Sequence, residues 1–208
     1  GQPVDPLPGV RVLDSTGAPV SGASVTFRVE QPGASVTPGT VTTGVDGRAR
    51  PASWVLGTAA GLNSLVAAVA GASGEVRFTA TAAPGPASAI RPASLLQQSG
   101  DASQPVSNPP AVRVTDAFEN PVPGTVVNFS VVQGGGVISG DSVTSDANGI
   151  ARLSSWTLGS EEGLNEVSAS VDGVGSISFV AQALAPLALS IESVQLNQAT
   201  QSAGADIA

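Results

Sequence analysis

The sequence repeats itself with a period of one whole domain. Val10-Arg11-Val12 returns as Val112-Arg113-Val114, Phe27 as Phe129, Trp54 as Trp156, and Gly61-Leu62-Asn63 as Gly163-Leu164-Asn165, each 102 positions on. A period of about 20–50 residues would indicate a solenoid or propeller, whereas about 100 is enough for a sandwich domain with its own core. The 208 residues therefore read as two similar domains, 1–86 and 87–186, followed by a tail, 187–208.

Period-2 alternation marks the strands, and the two halves check each other. In Ser24-Val25-Thr26-Phe27-Arg28-Val29 the odd positions are apolar, and Val127, Phe129 and Val131 keep that face in the second half. Val76, Phe78 and Ala80 correspond to Ile177, Phe179 and Ala181 after a one-residue deletion shortens the offset to 101. Asp46-Gly47 and Asn148-Gly149 read as tight hairpin turns with positive φ. Trp54, Trp156, Phe129 and Phe179 are expected to anchor the two cores, because matched aromatics at matched places are what packing requires. No segment has a sustained helical period, although Thr58-Ala59-Ala60 and Ser160-Glu161-Glu162 allow one short helical turn. The fold class is all-β.

Composition narrows the chemistry. The chain has no Cys and no His, which removes the common soft metal ligands, Cys–His nucleophile pairs and any disulfide framework. The net charge of −8 is unevenly placed: residues 1–86 hold five Arg and five acids, residues 87–208 three Arg and eleven acids. With no Lys and no cationic cluster, nucleic acid and anionic lipid are poor partners. No apolar run is long enough for a membrane-spanning helix, so no membrane insertion is expected.

The order Val-x-Val-x-Asp, a Pro-Val turn, Val-x-Phe-x-Val, an (Asp/Asn)-Gly turn, Trp-x-Leu-Gly and Gly-Leu-Asn resembles the bacterial immunoglobulin-like domains of group 1. The resemblance covers about 10–83 and 112–184. It implies two tandem immunoglobulin-like antiparallel β-sandwiches of the kind found in invasin- and intimin-type adhesin stalks, located at the cell surface or secreted. It also implies a spacer or building block with no catalytic residues to carry over.

The ends of the repeat add a structural expectation. A domain of this kind opens with a strand, here about Ala89–Gln98 in the second domain, while Gly1 aligns with Ser103, so the first domain lacks its own first strand. The tail resembles a spare copy of that strand, with Ile191 matching Ile90, Leu196 matching Leu95 and Gln198 matching Gln97. Donor-strand complementation follows as an expectation: Leu189, Ile191, Val194 and Leu196 of one molecule fill an acceptor core of Val10, Val12, Val25, Phe27 and Phe78 in the next. Donor and acceptor surfaces differ, so such contacts run head to tail into an open fibre. The alternative is a rigid spacer from the stalk of a larger secreted or surface adhesin, without self-assembly.

Other candidate chemistry is subordinate. Asp141, Asp146 and Asn148 offer oxygen ligands suited to Ca²⁺, but a polar hairpin accounts for them, and no metal or other cofactor is assigned. No pair of carboxylates faces a cleft-forming insertion, so no enzymatic role is expected. Phe118 has Thr16 as its counterpart and is expected to pack under its own loop, or else on a neighbouring domain. The expected partners are other copies of the same chain, with any host ligand unassigned.

Overall fold

A computed structural model describes residues 1–72 and 74–185. The first domain comprises β1 (Val10–Arg11), β2 (Ser24–Val29), β3 (Ser35–Thr37), β4 (Thr40–Thr42), β5 (Arg48–Ala49), β6 (Ser53–Val55), β7 (Gly61–Val69) and β8 (Glu75–Ala82). The second comprises β9 (Ala89–Pro92), β10 (Gln97–Asp101), β11 (Ala111–Thr115), β12 (Val126–Gln133), β13 (Val137–Ser139), β14 (Ser142–Thr144), β15 (Ile150–Arg152), β16 (Ser155–Thr157), β17 (Gly163–Val171) and β18 (Gly175–Leu184). Sheets of order β4-β2-β7-β8, β1-β5 and β3-β6 build the first domain; β10-β18-β17-β12-β14, β15-β11-β9 and β13-β16 build the second. Among the described residues no ladder joins the two sets. Each domain keeps its own apolar cluster.

The alternation turns one face of each strand inward. Val25 and Phe27 of β2 are buried while Ser24, Thr26 and Arg28 face solvent, and Val127 and Phe129 repeat this in β12. Val131 keeps the expected face but is 36% exposed. It still stands opposite buried Val167, and the β12–β17 register shifts only after it, between Val131 and Gln133, where a bulge ends the covered part of the strand. The segments 58–60 and 160–162 are bends rather than helical turns.

The Asp-Gly and Asn-Gly turns also differ from expectation. They connect strands of different sheets, β4 to β5 and β14 to β15, and only the glycine has positive φ. Glycine is required twice over at Gly47: its φ is +71°, and a Cβ there would lie 2.6 Å from the Val12 carbonyl oxygen. Gly149 repeats this against Val114.

Among the described residues Trp54 and Trp156 are the largest fully buried side chains, and the indole N–H of each has no acceptor there, so packing holds the side chains. Buried Asn63 gives the Gly-Leu-Asn motif its reason. Its Oδ1 accepts from Gly57 N at 2.8 Å and its Nδ2 donates to Gly61 O at 3.2 Å, tying the loop after the tryptophan to the start of β7. Asn165 does the same with Gly159 and Gly163.

Candidate functional site

The two domains differ most where the second one opens. There β9 pairs antiparallel with β11, setting Ile90 opposite Val114 and Arg91 opposite Arg113. Next, β10 pairs parallel with β18, from Gln97 opposite Val180 to Asp101 opposite Leu184. In the first domain β8 is the outer strand of its sheet and β1 pairs only with β5; among the described residues nothing takes the places of β9 and β10. Among the described residues, the first domain therefore has an open sheet edge beside a partly uncovered core.

Exposure records the same contrast. Val112, Val114, Phe179 and Ala181 are fully buried, whereas their counterparts Val10, Val12, Phe78 and Ala80 are only half-buried. Val76, expected on the core face, is 49% exposed because its cover is missing from the described part of this domain. A concavity of about 260 Å³ opens between β1 and the start of β8, lined by Val10, Val12, Val25, Ala67, Val69 and Val76. A second, of about 380 Å³, lies along the end of β8 among Gln2, Val4, Leu56, Ala80 and Ala82. These lie where β9 and β10 run in the second domain.

Of the expected acceptor residues, Val10, Val12 and Val25 line the first concavity, while Phe27 is 2% exposed and buried behind it. Phe78, opposite Leu65 on β7, is half-buried and packs against the core cluster. Val69 and Val76 complete the lining; their pairing with better-covered Val171 and Ile177 was the signal that could have found them. The donor residues Leu189, Ile191, Val194 and Leu196 lie outside the described residues. Asp146 spends its Oδ1 on the N–H groups of Asn148 and Ile150, and Asp141 offers its backbone carbonyl to Phe129 N.

A second constellation joins the domains. Asn120 Oδ1 accepts from Ala60 N at 2.8 Å, and its Nδ2 donates to Thr58 O and to Asp116 Oδ2, each at 2.8 Å. Asp116 Oδ2 also accepts from Gly85 N in the linker at 2.8 Å, while its Oδ1 accepts from the N–H groups of Phe118 and Asn120. The loop 116–121 thus latches the linker and the far loop of the first domain, setting the two sandwiches end to end. Burial pushes the Asp116 carboxyl up, but hydrogen bonds from the Asn120 side chain and from the N–H groups of Gly85, Phe118 and Asn120 outweigh it and hold it at about 2. In the first domain Asp14 keeps the loop bonds, to Thr16 and Ala18, but Ala18 stands where Asn120 does. Phe118 is 61% exposed, not packed under its loop, and lines a junction cleft of about 290 Å³ with Gln2, Thr58, Gly85 and Pro86.

Asn120→Ala removes both direct bonds to the first domain, each worth about 1 kcal/mol. The expected result is a broadened distance distribution between spin labels placed one in each domain, with each domain's melting temperature nearly unchanged. An unbroadened distribution would mean that the latch does not set the angle.

Two stacked immunoglobulin-like sandwiches joined by a latched linker define the class of this protein. No protein-family model matches the chain, and no curated protein matches it. Among solved structures it is similar to InvD of Yersinia pseudotuberculosis, at 19% identity and a TM-score of 0.59, over 90% of this chain and 54% of that one. It is also similar to the D0–D1 domain of intimin, at 19% identity and a TM-score of 0.33, over 86% of this chain and 85% of that one. A third is FdeC, an Escherichia coli adhesin, at 20% identity and a TM-score of 0.42, over 81% of this chain and 56% of that one. The fold is that of InvD, and the chain spans about half the length of that structure.

Proposed function

We propose that the chain is a structural subunit of an extracellular bacterial surface fibre, joined head to tail when the C-terminal segment of one copy fills the open edge of the next copy's first domain. The observation that carries this reading is the groove along β1 and β8, which follows the course of β9 and β10 in the second domain. The tail repeats part of the sequence of those strands, with Ile191 for Ile90 and Gln198 for Gln97.

Reach favours a second copy as the occupant. The strand β8 ends at the latch, so β18, its counterpart, ends at the opposite pole of the second domain. The groove begins at the pole of the first domain farthest from the latch. Strands of nine residues make each domain at least about 30 Å long, separating the two points by roughly 60 Å. From Ala185 to Ile191 the chain extends at most about 21 Å. With Ile191 as the residue that meets Val10 and Val12, a molecule's own tail falls short of its groove.

Electron microscopy of the 208-residue chain, with and without residues 187–208, tests the reading. Filaments from the full chain that vanish on truncation are expected, and soluble monomers from both would overturn it. The latch supports a second reading in that event: two sandwiches held at a fixed angle make a rigid spacer, as in the stalk of a larger surface adhesin.

A further inference from the structure

We infer that the tail is matched to the first domain and not to the second, with Ile191 as its core plug and Glu192 paired with Arg11 of the next copy. This inference rests on the fibre reading. The second domain, whose opening segment is in place, shows which positions of such a segment face inward. Ala87, Ile90 and Ala102 pack against the core, whereas Leu95 and Leu96 are 57% and 44% exposed. At the offset of 101 the inward positions return in the tail as Ala188, Ile191 and Ala203, and the outward ones as Leu196 and Asn197. Ile191 is thus the plug among the donor residues, and it meets a concavity lined by Val10, Val12, Val25, Ala67, Val69 and Val76. Leu196 takes the outward place of Leu95, and Leu189 that of exposed Ser88.

Two departures of the tail from the resident segment coincide with changes in the first domain. Arg91 stands opposite Arg113 and is held by Glu119 at 3.0 Å. In the tail Glu192 replaces Arg91; in the first domain Arg11 keeps the place of Arg113 while Gly17 replaces Glu119. The same register therefore sets Glu192 opposite Arg11, an opposite-charge pair, where a second arginine would have neither an acid opposite it nor the Glu119 that holds Arg91. Arg11 is exposed, and among the described residues only its Nε is engaged, with Asp46 O at 3.0 Å.

The second departure is at Gln98, whose amide binds both the N–H and the carbonyl of Asn108. Pro6 stands at that place in the first domain and has no N–H to give, and the tail carries Ala199 there. Both exchanges fit the tail to the first domain and away from a site like its own.

Charge exchange in the full-length chain tests the pairing. Glu192→Arg is expected to raise the critical concentration for assembly about tenfold, and the double variant Glu192→Arg/Arg11→Glu to restore it to near the wild-type value. Ile191→Asp is expected to abolish filaments, while Leu196→Asp leaves them. Thermal melts of every variant check that both domains remain folded. Wild-type filaments with no rescue by the double exchange, or with Leu196→Asp as damaging as Ile191→Asp, overturn this inference and leave the fibre reading standing. A wild-type chain that forms no filaments overturns both.

Discussion

Phe179→Ala is expected to lower the unfolding free energy of the second domain by about 3–5 kcal/mol, the range for a large aromatic removed from a closed core. Phe179 is fully buried, with β17 beside it and β9 and β10 covering the same end of the sandwich. The counterpart substitution, Phe78→Ala, removes the same atoms from the same strand of the same fold. Its expected cost is smaller, about 1–2 kcal/mol, because Phe78 is half-buried and solvent can enter where the side chain was. Each domain contains one buried tryptophan, so denaturant titrations followed by fluorescence in a Trp54→Phe or Trp156→Phe background report one domain at a time. Equal losses at the two phenylalanines would mean that the open edge of the first domain leaves its core as well covered as the second. A loss at Phe78 that grows on assembly would place the cover in the neighbouring molecule.

Much of this architecture was legible because the repeat supplied two readings of every strand. Where both halves alternated in phase, as at Val25 and Phe27 against Val127 and Phe129, the inward face followed directly. The errors arose where a local pattern cannot reveal its partner. Val131 continues the alternation and stays opposite buried Val167, yet it is exposed beside the bulge that follows it, and bulges depend on the neighbouring strand's register. Val76 alternates correctly yet is exposed, since burial depends on a strand that lies elsewhere in the sequence. Asp46-Gly47 and Asn148-Gly149 are legible as turns, but whether a turn joins paired strands or crosses between sheets is a property of the whole sandwich.

The latch is illegible in the sequence for a different reason. Its residues sit in a loop, and its partners, Thr58, Ala60 and Gly85, are backbone groups that leave no mark on side-chain composition. The difference between Ala18 and Asn120 was its only trace. Positions where two otherwise similar domains differ are where they meet different neighbours, and the tail obeys the same logic at Glu192 and Ala199.

Asp116→Ala is expected to cost the second domain and its junction about 2–4 kcal/mol at neutral pH. The substitution strands four donors at once: the N–H groups of Gly85, Phe118 and Asn120 and the Asn120 amide. Asp14→Ala, at an exposed loop with no domain beyond it among the described residues, is expected to cost well under half as much. The carboxyl also makes the junction acid-sensitive with a definite sign. Its folded value, about 2, lies below the ordinary 3.8, so its contribution is complete above pH 3.8 and is lost as pH falls through about 2. The loss is on the order of 2 kcal/mol, reduced by whatever screening solvent provides at the loop. Asp116→Asn separates charge from shape: its oxygen can still accept from Phe118 and Asn120, but its amide turns a donor toward Gly85 N–H. The variant is therefore expected to lie between wild type and alanine at pH 7. As pH falls to 2 it should match wild type more closely, since about half of the wild-type carboxyls are then neutral. Melting curves of the three proteins between pH 7 and pH 2 provide the measurement, and a wild-type profile as flat as that of Asp116→Ala would show that the carboxylate does not hold the linker.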